Sequence, residues 1–176
     1  ELAVFQADDV QATIQGFTTS LLQAVGIVLL CMLLFLGLRT GMVVASLIPM
    51  AMGSTFVVMS FIGLGLDKVS LAALIIALGL LVDNAVVMAE STMVYMGQGK
   101  DPLEAAIDAA NELKGPLLIS SLTTIGAFLP LALAENTMGE FLGPLALVLA
   151  ITLLASWLLA TTAIPLFCVR FLKVEP

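Results

Sequence analysis

The chain contains no histidine and two cysteines, Cys31 and Cys168, which fall in separate apolar runs. Without imidazole, and with the thiols far apart in sequence, neither a Cys/His metal site nor a disulfide is expected, because a buried free cysteine ordinarily packs as a small hydrophobe. Charge is also scarce: 11% of residues are charged, against about 25% in ordinary soluble domains. The six Lys and Arg form no basic patch or stripe, which argues against a nucleic-acid partner. The formal net charge of −7 does not by itself call for a basic partner, since many acids (Asp8, Asp9, Asp101, Glu104, Asp108, Glu112, Glu135, Glu140) fall in predicted loops and ends. No internal repeat with a period of about 20–50 residues and no low-complexity linker divides the chain. It opens on Glu1 with no short cleavable leader ahead of its first apolar run, so it is expected to be a piece of something larger.

What is present is apolar surface: 61% hydrophobic residues and a mean hydropathy of +1.17. A helix needs about 20 mainly apolar residues to cross the hydrocarbon core. That rule predicts five spans, about 17–38, 41–63, 70–95, 116–134 and 141–168. The fold class expected is an all-α membrane protein, a five-helix transmembrane bundle forming one domain. "GLRTG" (37–41) reads as a tight turn that makes the first two spans antiparallel neighbours. Ser70 is the predicted N-cap of the third span. In 97–116, Asp101 can cap, Pro102 suits a first helical position, Glu104 adds an acid to the first turn, and Gly115-Pro116 is expected to end the helix. Leu103, Ala106, Ile107, Ala110 and Leu113 recur at helical spacing, so about 102–114 reads as an amphipathic cytoplasmic helix, either interfacial or simply connecting. Pro49, Pro130 and Pro165 fall in or near spans, as static kinks or hinges.

Cytoplasmic loops are enriched in Lys and Arg. If the first span runs inward, Arg39, Lys100, Lys114, Arg170 and Lys173 fall on the cytoplasmic side and only Lys68 outside. The amino terminus and the loops at 64–69 and 135–140 are then external and the carboxyl terminus cytoplasmic.

Against this background Asp83 and Asn84 stand out in the middle of the third span. An acid at mid-depth costs about 2.5–3.5 kcal/mol on the insertion scale, and aspartate is too short to reach the interface. A partner, a water path or a bound proton must offset that cost. Removal from water favours the neutral form of a carboxyl group, and a nearby cation favours the charged form. Movement of a cation therefore makes such a site switchable, and no basic residue occupies the central part of any predicted span, so any such cation is expected outside this chain. Asn84 suits either a proton relay with Asp83 or an interhelical hydrogen bond. Glu90 lies seven residues on, about 10.5 Å along the same helix face, where it would either take protons inward or reach the wet interface. "SSLTT" supplies Ser120, Ser121, Thr123 and Thr124, for a hydrated secondary proton path or for helix packing. Gly79, Ala85 and Ala89 read as close helix contacts. Met50, Met52, Met59, Met88, Met93 and Met96 read as lipid-facing or gap-filling side chains.

"GLLVDNAVVMAES" (79–91) resembles the fourth transmembrane helix of the resistance-nodulation-cell division (RND) efflux pumps. "LLFLGLRTGMVVASLIPMAMGSTFVVM" looks like their helices two and three, "GPLLISSLTTIGAFLPLAL" like helix five, and "TMGEFLGPLALVLAITLLASWLLATTAIPLFC" like helix six. The Val-Asp-Asn core is short, and its order with these flanking segments makes the likeness strong. The resemblance implies helices two to six of the amino-terminal half of a pump in a bacterial inner membrane, with Asp83 as the proton-carrying carboxylate. Well-studied drug exporters carry a second acid where this chain has Asn84. The resemblance further implies proton antiport without a cofactor, protons being the coupling ion, and multidrug resistance through export of amphiphilic or hydrophobic compounds. Implied partners are membrane lipids, a second transmembrane half that supplies a lysine opposite Asp83, periplasmic porter domains, a homotrimeric assembly, a periplasmic adaptor and an outer-membrane channel. Two other readings stay open: a non-pumping relative serving protein export or lipid handling, and a purely structural bundle.

Overall fold

A computed structural model describes residues 2–65, 67–133 and 137–171. Glu135 and Lys173, used above for loops and orientation, lie outside these residues, as do the side chains of Asp8 and Asp9. The chain is all-α: α1 (Leu2–Ile62), α2 (Lys68–Gly97), α3 (Pro102–Ala132) and α4 (Thr137–Phe171). α1 consists of two helical arms that meet at Gly37, whose φ of 80° and ψ of 168° break the helix. Only glycine adopts that backbone region at low cost. The chain doubles back there: a Cβ on Gly41 would sit 3.4 Å from the Leu33 side chain and 3.6 Å from the Met32 backbone. The expected tight turn is thus a helical hairpin. With its two arms counted separately, five helices among the described residues have membrane-crossing length and composition: Ile14–Phe35, Gly37–Ile62, Lys68–Gly97, Pro102–Pro130 and Leu142–Phe171.

Local chemistry accounts for most helix ends. α1 closes with Gly63 N–H donating to the Ser60 carbonyl (3.4 Å) and Leu64 N–H to that of Met59 (3.0 Å), the paired bonds of a Schellman ending. α2 ends the same way, Gly99 N–H reaching Met96 and Lys100 N–H reaching Tyr95. The cap of α2 is Asp67 rather than Ser70: its carboxylate accepts the Ser70 N–H at 2.7 Å, and Ser70 lies buried inside the first turn. Asp101 caps α3 by accepting the Leu103 N–H at 3.3 Å, with Pro102 at the first position.

Gly115-Pro116 does not end that helix. α3 runs unbroken through it, joining 102–114 to the span that follows. Proline removes one N–H, that which would serve the Glu112 carbonyl. The neighbouring helix meets α3 at this turn, Trp157 Nε1 of α4 donating to the Lys114 carbonyl at 2.9 Å.

The core centres on α2 and α4. Leu74, Leu78, Leu81 and Met88 of α2 pack with Val44, Leu47 and Met59 of α1 and Val148 and Ile164 of α4. α4 touches the other three helices, whereas α1 and α3 make no contact among the described residues. Ala85 and Ala89 are fully buried, where a small side chain lets helices approach closely. Gly79 is different: it is exposed and nothing lies within 4 Å of its Cβ position, so within this chain it is no helix contact. Met52, Met59, Met88 and Met96 fill the core, while Met50 is 40% exposed.

Candidate proton-relay site

Asp83 lies at the middle of the 30-residue α2. Consecutive helical residues are rotated by about 100°, so Asp83 and Asn84 face different surroundings. Asn84 is buried and its Nδ2 donates to Ser121 Oγ of α3 at 3.4 Å. Asp83 is exposed, within a stripe formed by Ile76, Gly79, Asp83, Val87, Glu90 and Val94. The three- and four-residue steps put these side chains on one face, and these residues stay exposed, uncovered by the described residues of the other helices. On the other side of α2, Ser156 Oγ of α4 donates to the Leu81 carbonyl at 3.1 Å. A buried polar belt thus fixes α2 between α3 and α4 at the depth of the acid, leaving the acid itself on the free side.

Of the hydroxyls in "SSLTT", only Ser121 joins this belt. Ser120 and Thr123 are exposed. Thr123 Oγ1 donates to its own helix at the Ile119 carbonyl (2.8 Å), and Thr124 Oγ1 to that of Ser120 (3.1 Å). The structure therefore brings together Asn84 and Ser121, sets Asp83 and Glu90 on a shared face, and leaves Ser120, Thr123 and Thr124 apart from both groups. Sequence reading overlooked Ser156. Its signal, a lone serine in an apolar span, was there in "LLASWLL".

The profile of the AcrB/AcrD/AcrF family matches residues 2–176. The chain belongs to that family. It is 31% identical over 177 residues to the multidrug resistance protein MdtC of Pectobacterium atrosepticum, covering 100% of this chain and 17% of the relative. It is likewise 31% identical over 176 residues to MdtC of Escherichia coli O139:H28, covering 99% and 17% respectively, and 30% identical over 176 residues to MdtC of Yersinia enterocolitica. The chain thus spans about a sixth of the length of these relatives, as one multi-pass segment of an RND-type transporter.

A second polar group of this AcrB/AcrD/AcrF-family segment clasps the α2–α3 elbow. The Tyr95 hydroxyl donates to Glu112, Lys100 Nζ pairs with Asp108 at 2.6 Å, and the same ammonium lies 4.4 Å from the Tyr95 ring centroid. The hydrogen bond to Asp108 holds the Lys100 ammonium above the usual lysine range. Arg39 lines a crevice with Phe167 and Phe171, and Thr40 Oγ1 lies 3.1 Å from Met93 Sδ. The α1 reversal, the end of α2 and the end of α4 therefore gather at one end of the bundle, with Arg39, Lys100 and Arg170.

Proposed function

We propose that this segment is the proton-coupling portion of a proton-driven RND transporter that exports amphiphilic or hydrophobic compounds from a bacterial inner membrane, with Asp83 as the proton carrier. The observation that carries the reading is a carboxylate at mid-helix on a face of α2 that the described residues leave uncovered, in a protein of the AcrB/AcrD/AcrF family. Gly79, one turn away with open space above it, leaves room for a covering helix to approach the acid closely. A second transmembrane half supplies that helix and a cation. A proton from outside neutralises Asp83, weakens its hold on the cation, and lets the two halves shift. Asn84 has no titrating group and holds the α2–α3 register through Ser121. Glu90, about two turns inward on the same stripe, receives the proton on its way to the cytoplasm. Each inward proton releases about 2.3 kcal/mol per 100 mV of membrane potential, delivered to substrate only through conformational coupling. The amino-terminal end of the segment is periplasmic and the carboxyl-terminal end cytoplasmic, as the basic end of the bundle suggests. The parent works as a homotrimer with porter domains, a periplasmic adaptor and an outer-membrane channel.

The test is efflux by cells expressing the full-length parent under an imposed inward proton gradient, with wild type and Asp83→Asn at matched membrane abundance. The variant should fall to the level of cells lacking the pump, with Asp83→Glu intermediate. Undiminished gradient-dependent efflux by Asp83→Asn would remove Asp83 from the coupling path.

A further inference from the structure

A crevice of about 430 Å³ opens between the second arm of α1 and the last turns of α4, lined by Arg39, Met42, Val43, Ser46, Phe167 and Phe171. Its size lies within the range of about 300–1,000 Å³ typical of small-molecule sites. From Arg39 to Ser46 it follows α1 for about 10 Å. Polarity is confined to one end: the Ser46 hydroxyl is turned back onto its own helix, donating to the Val43 carbonyl at 2.6 Å. Phe167 and Phe171 meet edge to face, with centroids 6.2 Å apart, and form an aromatic wall.

Arg39 differs from the basic residues of the neighbouring elbow. Lys100 is paired with Asp108, and Lys114 donates to Asn111. Among the described residues Arg39 has no ion-pair partner and no acid lines the crevice. A guanidinium is suited to a phosphate through paired N–H donors, and basic residues at span ends sit at headgroup depth. An apolar slot leading away from such a cation offers nothing to an inorganic ion and much to an acyl chain. The missing acid leaves a headgroup ammonium without a partner, and Arg170, beside Phe171 in sequence, adds positive charge at this end. Together these features select an anionic over a zwitterionic lipid.

We propose that this crevice binds one anionic phospholipid, its phosphodiester on Arg39 and one acyl chain against Met42, Val43, Phe167 and Phe171. This is independent of proton coupling at Asp83, which lies on the uncovered stripe of α2.

The experiment is native mass spectrometry of the full-length parent released from nanodiscs containing equal amounts of phosphatidylglycerol and phosphatidylcholine. Wild type should retain phosphatidylglycerol in preference to phosphatidylcholine. Arg39→Gln should reduce phosphatidylglycerol retention by roughly tenfold, the scale of a lost charge-assisted hydrogen bond, and Arg39→Lys should restore much of it. Met42→Trp keeps the charge and fills the slot, so it should displace the lipid while the variant elutes as wild type in size exclusion. The proposal is overturned if wild type retains no lipid or both lipids alike, or if Arg39→Gln and Met42→Trp both retain phosphatidylglycerol as wild type does. It is equally overturned if inorganic phosphate displaces the lipid while Met42→Trp has no effect, since the site would then hold an anion only.

Discussion

Asp83 and Asn84 are neighbours in sequence with opposite fates, and the difference is one step of helical rotation. Asn84 is turned into α3 and bonds Ser121, whereas Asp83 is turned out of the bundle. Removing the Ser121 hydroxyl leaves a buried amide without its partner. Ser121→Ala should therefore destabilise the full-length parent by about 0.6–2 kcal/mol, the range for hydrogen bonds between membrane helices. Ser120→Ala and Thr123→Ala should leave its thermal midpoint near wild type, because both side chains are exposed and neither bonds another helix among the described residues. Equal losses for all three would mean that the pairing with Asn84 carries no particular weight. The depth of Asp83 was legible in the sequence, since it follows from counting along one apolar run. The choice of Ser121 among four closely spaced hydroxyls was not, because it depends on how α3 is rotated against α2 and α4, which tertiary packing sets.

At the level of single elements, turn and cap chemistry explains what could and could not be read. Asp101-Pro102 announced the start of α3, and "GLRTG" announced a reversal. Asp67 outcompeted Ser70 as the cap of α2 because its carboxylate reaches the Ser70 N–H. Gly115-Pro116 looked like a stop, yet the helix continues through it, and the packing of α4 on that turn, where Trp157 donates to the Lys114 carbonyl, is set by tertiary structure that a local reading does not display. Trp157→Phe should cost about 0.5–1.5 kcal/mol, the net worth of an ordinary hydrogen bond, and should raise amide exchange around residue 114. At the α1 reversal, Gly37→Ala should cost about 1–3 kcal/mol, because a Cβ is strained in that backbone region. Gly41→Ala, which would meet Leu33 at 3.4 Å, should be much milder, and a reversed order in thermal unfolding would show that the kink does not depend on Gly37. The elbow has its own pH signature. Because Lys100 is held above its ordinary range, its contribution is complete below the unfolded lysine pKa of about 10.4 and is lost as pH rises through the higher folded value. Protection of the amides at residues 98–101, corrected for the base-catalysed intrinsic exchange rate, should thus be constant around neutrality and should fall in strongly alkaline buffer in wild type but not in Lys100→Gln, which lacks the ion pair at every pH.

Taken whole, the bundle exposes apolar surface on every helix, and the exposed stripe of α2 differs in carrying two acids, Asp83 and Glu90. Hydropathy made five membrane-crossing helices legible, but it treats every apolar surface alike and does not say which faces meet lipid and which meet protein. The stripe around Asp83 and Glu90 is where a second half is expected. In the full-length parent, a photo-crosslinking residue at Val87, on that stripe, should capture protein of the second half. One at Leu122 of α3, 50% exposed, should capture lipid. Lipid capture at both positions would show that no protein covers the stripe.

The unbroken course of α3 has a mechanical consequence. Its 31 residues make a rod about 46 Å long, well over the roughly 30 Å of a hydrocarbon core, so one end works as a pointer attached to the part within the membrane. Ile107 lies about 21 Å along this rod from Ser121, and a tilt of about 10° at the buried end would swing it by about 4 Å by the same geometry. A fluorophore at that exposed position would convert an angular motion inside the bilayer into a displacement that can be followed from the water.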